Sequence, residues 1–409
     1  MSYESRRRER RRKRQRRKRV LFAIEIIVLV LLSLVLVVSI WATHKFSLIN
    51  HQDLDQDKLK TADQVNGDSS GDGSDNQTET DSDLSGVELI ALVGIDTRDE
   101  LEGENSDTMI IACIDHTNKT IRLASLYRDT YLNIGENYDG TPDCYTKANA
   151  AYNYGGATQF LSMLNLNFDL NITEYMTVNF KALSDVVEAL GGLDIDMTRE
   201  EVIHLNNYNV ETSQACGLEY EELTYPSEEE FDGAMTLTFH LNGSQAVSYA
   251  RIRKTAGNDF RRTSRQRLVL EKILEKAKTA DLATLNSIMD QVFPQVTTNM
   301  DNSRLVSMIQ PVLGYTFADQ TGFPSTHLED DGSLTGEDCV LPVTLEYNAI
   351  QLHQFLFPDT EYTPSETVQS YSATITAICG YGEESIELAQ SNEDGAEIPV
   401  WDPTAEEQQ

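Results

Sequence analysis

The chain has 409 residues, 66 of them acidic and 33 basic, for a formal net charge of −33. A field of that sign repels nucleic acid and other polyanions, so an anionic ligand has to meet a local basic cluster. Cys113, Cys144, Cys216, Cys339 and Cys379 make an odd number with no C-x-x-C pair, which signals neither a zinc site nor a disulfide framework.

The first 19 residues carry ten Arg and two Lys against Glu4 and Glu9. The next 22, residues 20–41, contain a single charge, Glu25, and at ~1.5 Å per helical residue they reach ~33 Å, enough to cross a bilayer core. The basic flank predicts a cytoplasmic amino terminus, and no small-residue cleavage site follows, so the reading is an uncleaved single-pass anchor with the rest of the chain outside the cell. That outer part holds 21 basic against 63 acidic residues. Residues 42–86, rich in Asp, Ser, Gly, Asn and Thr, are expected to be a disordered acidic tether, because their composition buries too little apolar surface to fold.

Folded sequence is predicted from Val87. Apolar, β-rich runs lie at Val87 to Ile95, Thr108 to Ile114, Thr120 to Tyr127, Tyr175 to Phe180 and Leu193 to Met197. Helical apolar spacing marks Ala148 to Leu164, Lys181 to Leu190 and Asp259 to Ala280. Interleaved strands and helices predict an α/β domain over 87–280, with a central mixed β-sheet flanked by helices. Within it, 206–239 reads as an acidic surface insertion. A helical extension is expected over 281–360 and a loosely ordered acidic tail over 361–409.

Three segments carry candidate chemistry. Asp96 follows the first strand, and Asp107 opens the next, so two carboxylates meet at one sheet end; paired hard oxygen donors suit Mg²⁺, although turn or capping roles fit either residue as well. Arg128 and Asp129 follow the third strand at its carboxyl end, where open α/β sheets place ligands, and an ordinary surface ion pair is the competing reading. The densest signal runs from Arg251 and Arg253 through Asp259, Arg262, Arg265, Gln266 and Arg267, a basic cluster in an acidic chain. In an extended segment Arg251 and Arg253 share a face, while on a helix Asp259, Arg262 and Gln266 share one and Arg267 falls off it, so substitution of Arg267 is expected to be nearly silent. Guanidinium forks bind phosphate oxygens bidentately, and a pyrophosphate can engage several at once. No G-x-S-x-G, Walker loop, dinucleotide fingerprint or H-E-x-x-H is present, which removes the corresponding hydrolase and dehydrogenase readings.

Taken in order, Gly94-x-Asp96-x-Arg98, Ser106-Asp107-Thr108, Ser125-x-x-Arg128-Asp129, the run Lys147 to Gly156, Ala189 to Leu193, and Arg251-x-Arg253 with Asp259-x-x-Arg262-x-x-x-Gln266 resemble the LytR-CpsA-Psr family of cell-wall glycopolymer ligases. The resemblance covers about Val87 to Lys276, and it departs from the family at Tyr127, where proline is usual. It implies a membrane-anchored phosphotransferase of a Gram-positive-type bacterium that moves a teichoic-acid-like or capsule-like polymer from a polyprenyl pyrophosphate carrier to peptidoglycan. It also implies Asp96 and Asp107 as Mg²⁺ ligands and Arg128, Arg251, Arg253, Arg262 and Gln266 as a pyrophosphate clamp. Arg128 and Asp259 would be the catalytic residues, with Asp259 as a candidate base. A non-catalytic prenyl-glycan-binding or envelope-regulatory protein and a polyprenyl pyrophosphatase share these requirements and remain alternatives.

Overall fold

The computed structural model describes residues 41, 43–66, 86–95, 106–224, 227, 235–253 and 258–394, without the side chains of 258, 259, 309–313 and 391–394. The expected membrane span at 20–41 lies outside the described residues except for Trp41, and among the described residues no helix is long and apolar enough to cross a membrane. The chain divides into two units after Leu48. In the first, the described part is a helical turn in which the Ser47 amide donates to the Thr43 carbonyl at 3.0 Å. Everything below concerns the second.

A seven-stranded mixed sheet organises this unit. Its middle is built from β2 (Val87–Ile95), β3 (Ser106–Asp115) and β4 (Thr120–Leu126), joined antiparallel, and these match the runs predicted from sequence. β3 is buried from Met109 to Asp115, as a central strand covered on both faces must be. β7 (Tyr175–Asn179) pairs parallel with β2 and continues through β10 (Val296–Thr298) to β1 (Asn50–His51), while β11 (Thr316–Phe323) pairs parallel with β4 at the far edge. Gly94 is required where β2 meets β3, because a Cβ there would stand 2.8 Å from that of Thr108.

One face of the sheet is covered by α2 (Ala150–Phe168), α9 (Leu345–Leu356) and α10 (Glu366–Cys379), with Ala91, Met109, Ile111, Cys113, Leu126, Phe160 and Phe168 in one core. Cys113 is a buried thiol with its pKa pushed up to about 11 by burial, as its apolar surroundings predict, and all five cysteines are free. The opposite side holds a second core, in which β8 (Leu193–Met197) pairs with β9 (Leu237–Leu241) outside the main sheet, packed with α3 (Phe180–Ala189), α4 (Arg199–Cys216), α5 (Gly243–Arg251) and α6 (Asn258–Thr279). The polar capping residues explain where these helices start. Thr198 with Glu201 and Asn242 with Gln245 form reciprocal capping boxes, and Asn179 accepts from the Ala182 amide.

Four expectations are corrected. Residues 49–66, read as tether, fold: Leu54 and Leu59 enter the core, the Asp55 and Lys60 amides donate to Thr158 and Ser162 of α2, and α1 (Ala62–Asn66) follows. The segment buries its few apolar side chains because α2 supplies the surface, which composition cannot reveal. The helical extension also contains strands, since between α7 (Leu282–Val292), α8 (Asn302–Leu313) and α9 lie β10, β11 and the hairpin β12 (His327–Asp331) with β13 (Asp338–Pro342). The expected tail is integral as far as residue 394: Val368 and Ile375 are buried, and Asp169 accepts from the Tyr362 hydroxyl, the Ser365 amide and the Ser365 hydroxyl at 2.6–2.7 Å. Beyond α10 comes α11 (Ile386–Asp394), whose Ala389 is fully buried. Finally, the first third of the acidic insertion is the C-terminal half of α4, which ends on Gly217 in the left-handed region.

Candidate active site

The antiparallel arrangement brings the start of β3 beside the ends of β2 and β4, so Asp107 and Arg128 meet at one edge of the sheet. The Arg128 Nη1 donates to Asp107 Oδ1 at 2.6 Å, and Arg262 Nη2, from the first turns of α6, donates to Oδ2 at 2.8 Å. Arg128 Nε also donates to Asp129 Oδ1 at 3.0 Å, and Lys147 Nζ lies 3.9 Å from the same oxygen. Burial pushes the Asp107 pKa up, but the combined charges of Arg262, Arg128 and Arg253 outweigh it and hold the carboxyl below its ordinary value. Asp107 is thus an ionised carboxylate under three guanidiniums. The Arg262 side chain is only 3 % exposed, so loss of the carboxylate would leave a buried, uncompensated charge, a heavier penalty than breaking a surface bridge.

The sequence places the other predicted residues less uniformly. Asp96 lies outside the described residues; Asp259 belongs to the first turn of α6, and its side chain lies outside them too. Gln266 is buried one turn beyond Arg262. Arg251 and Arg253 do not share a face. Arg251 ends α5 and turns into the second core, where its Nη1 donates to Thr212 Oγ1 at 2.6 Å and its guanidinium lies 5.0 Å from the Phe180 ring and 5.7 Å from Tyr208. Arg253, past the extended Ile252, acts on Asp107. The helix end between them separates what an all-extended segment would have aligned. Arg267 is also corrected: at 7 % exposure it is an interior residue, because its side of α6 faces β11 and the sheet instead of solvent.

Two contributors went unassigned in the sequence. Arg265 donates to Glu201 Oε1 at 2.8 Å and to the Ile252 carbonyl at 3.0 Å, tying α6 to the capping box of α4 and to the segment that carries Arg253. Its place in the basic cluster was the available signal. Lys147, beside Asp129, lies in the run that carried the family resemblance.

Next to the charged edge lies an apolar cleft of about 210 Å³. Its floor is the second face of the sheet, with Ile90, Leu92, Ala112, Ile114, Ile121, Leu123 and Met176, and Leu270 and Leu274 of α6, Met308 and Phe317 close it. Helix α6 has apolar residues on two sides, with Val269 in the second core and Leu270 and Leu274 at the cleft. A wider cavity of about 540 Å³ between β11 and α9 contains none of the predicted site residues.

The mixed sheet gathers a carboxylate and several arginines at one end of its central strands, beside an apolar cleft, and so offers charged and apolar contacts side by side. The sequence pattern of the LytR_cpsA_psr family matches residues 47–339, and the chain belongs to that family. It is 26% identical over 268 residues to a polyisoprenyl-teichoic acid–peptidoglycan teichoic acid transferase, TagV, of Bacillus subtilis, covering 63% of this chain and 61% of that protein. With the TagU transferase of Enterococcus faecalis it shares 32% identity over 216 residues, covering 52% and 59%, so the chain spans about 60% of the length of these curated relatives. Among solved structures, TagT bound to LI-WTA superposes with a TM-score of 0.52 at 20% identity, over 75% of this chain and 99% of that one. A protein titled a transcriptional regulator from Enterococcus faecalis gives 0.52 at 21%, over 73% and 97%. These likenesses establish the fold.

Proposed function

We propose that this protein is a membrane-anchored phosphotransferase that moves an anionic glycopolymer from a polyprenyl pyrophosphate carrier to peptidoglycan. The observation that carries this reading is the division of labour along α6: Arg262 meets Asp107 at the charged edge, and two to three turns later Leu270 and Leu274 wall the apolar cleft. A ligand that matches both ends has a multiply charged head and a long hydrocarbon tail. Relatives named as teichoic acid transferases support the same substrate class. The basic flank and apolar run at 20–41 support a type II anchor that leaves this unit on the outer face.

In the reaction, a sugar hydroxyl of peptidoglycan attacks the polymer-side phosphorus and polyprenyl phosphate leaves. Arg128, Arg253 and Arg262 neutralise the phosphate oxygens as they gain charge, and Asp107 holds the Arg128 and Arg262 forks in place before the substrate arrives. Gln266 lies one turn along the same helix and orients the head, while Asp259 is the carboxylate available to take the hydroxyl proton. Arg251, held against the Phe180 and Tyr208 rings and bonded to Thr212, lies outside the clamp and fixes the helix end from which Arg253 emerges.

The chemistry of Asp107 is compatible with Mg²⁺. Asp107 is ionised, and a carboxylate has about four lone-pair sites, so each oxygen keeps one beyond its arginine bond. Asp107 with Asp96 would hold the ion, which supplies a further positive charge to the transferring phosphoryl group. The test is the full chain in detergent with a lipid-linked polymer and peptidoglycan. Mg²⁺-dependent loss of donor with polymer appearing on peptidoglycan is expected; binding without loss establishes a non-catalytic binder, and release of free polymer phosphate establishes a pyrophosphatase.

A further inference from the structure

Two buried polar residues just beyond the lining of the cleft carry atoms that are unmatched among the described residues. Arg267 is 7 % exposed, and among the described residues nothing accepts a hydrogen bond from its Nε or Nη1. The Ser125 hydroxyl, on a residue 1 % exposed, is likewise unmatched. Leaving such groups dry and unpaired costs stability, most of all for a guanidinium, and the penalty is visible as a lowered pKa of Arg267 caused by its burial.

Their positions coincide. Alternation along β4 puts Ser125 on the face of Ile121 and Leu123, and helical spacing puts Arg267 one turn before Leu270 on the side that continues to Leu274. These neighbours line the cleft. The two residues therefore lie where the apolar wall ends, and Arg262 is five residues before Arg267 in α6, about 7.5 Å of helix rise away from the cleft. Tyr127 marks the same level: it is near enough to Arg267 to influence it electrostatically, and its hydroxyl lies so close to Gly322, the strand partner of Ser125, that any Cβ there would collide with it.

We infer that Arg267 and the Ser125 hydroxyl bind the phosphate attached directly to the isoprenoid chain, just inside the entrance, while Arg128, Arg253 and Arg262 take the outer phosphate. This rests on the proposed polyprenyl pyrophosphate substrate. The ligand class is an isoprenoid phosphate ester, whose oxygens match the guanidinium and hydroxyl donors and whose first isoprene units continue past Leu270. The site also holds the leaving group of the proposed transfer, since polyprenyl phosphate remains on it when the outer bond breaks.

The experiment is calorimetric titration of the full chain in detergent with farnesyl monophosphate, farnesol and inorganic phosphate, together with thermal unfolding. Arg267→Met is expected to weaken farnesyl monophosphate roughly 10- to 100-fold while farnesol binds as before. Its melting temperature should hold or rise, because the variant removes an unpaired buried charge. Ser125→Ala should lose roughly threefold to tenfold. Arg267→Lys, which keeps the charge without the fork, serves if the methionine variant fails to fold, and an intermediate loss is expected. Unchanged affinity for farnesyl monophosphate, an equal loss for farnesol, or inorganic phosphate binding as tightly as the ester overturns the assignment. A fall in melting temperature with both ligands lost makes Arg267 structural and overturns it as well. If the wild-type chain binds neither prenyl compound, the reading of the cleft itself falls; if it binds and the variants match it, only the inner site does.

Discussion

On one face of the central sheet Met109, Ile111 and Leu126 lie beneath α2, with Phe160 and Phe168 fully buried among them. On the other face Ile90, Ile114 and Leu123 look across about 210 Å³ of open space at Leu270 and Leu274. The same three strands thus support a close-packed layer and an unfilled one. Interiors are normally packed to the density of organic crystals, so a gap of this size forfeits dispersion contacts that the first face keeps. Stability resides on the packed side, and the space that the proposed ligand requires lies on the other.

The largest expected effect tests that contrast directly. Phe160→Ala should cost about 3–5 kcal/mol in urea unfolding, because it opens a cavity in a full core, whereas Leu270→Ala should cost less than about 2 kcal/mol, since its side chain already borders space. Leu270→Trp should fill the cleft, keep the fold and abolish binding of a prenyl compound. Equal losses for the two alanine variants would show that the faces do not differ.

Next comes the charged edge. Asp107→Ala leaves the buried Arg262 without its carboxylate and should cost about 3 kcal/mol, and transfer should fall with it. The pH dependence follows from the depressed pKa of Asp107. Its stabilisation is complete above the ordinary carboxylate range and is lost as pH falls through the lower folded value, so Asp107→Asn should flatten acid unfolding in that region. A variant that unfolds with the same acid profile as the parent would place the proton uptake elsewhere.

Smaller still is the distinction between the two neighbouring arginines. Arg253→Lys should weaken a prenyl pyrophosphate by about 1–2 kcal/mol in calorimetry, while Arg251→Lys should act mainly on thermal stability through the lost Thr212 bond and ring stacking. Indistinguishable binding losses would return Arg251 to the charged edge. The least effect is expected from His327, packed edge-on to Tyr127 and tilted against Phe260, with its pKa lowered to about 4 by burial. The unfolded chain takes up this proton near the ordinary 6.5, so stability should decline as pH falls from 6.5 towards 4. His327→Phe should reduce that slope in pH-dependent melting, and an unaltered slope would assign it to other groups.

The central strands and the site's charge were legible in the sequence for a local reason. A run such as Met109 to Ile114, apolar at every position, reads as a strand buried on both faces, and it is one. The basic cluster of α6 was visible because charge density is a property of neighbouring residues. Its joining of Arg262 to Asp107, 155 residues apart, followed only from the family resemblance until the sheet edge brought the two within 2.8 Å.

Burial, by contrast, needs a partner that may be distant in the chain. Leu54 and Leu59 are interior only because α2 lies against them, and residues 362–375 are ordered because Asp169 and the core receive them. Arg251 and Arg253 diverge because α5 ends between them. Arg267 is the sharpest case. Helical spacing sets its direction relative to Arg262, but whether that direction is water or interior depends on β4 and β11, which the sequence does not place beside α6; the same geometry turns an expected surface arginine into a buried, unpaired one.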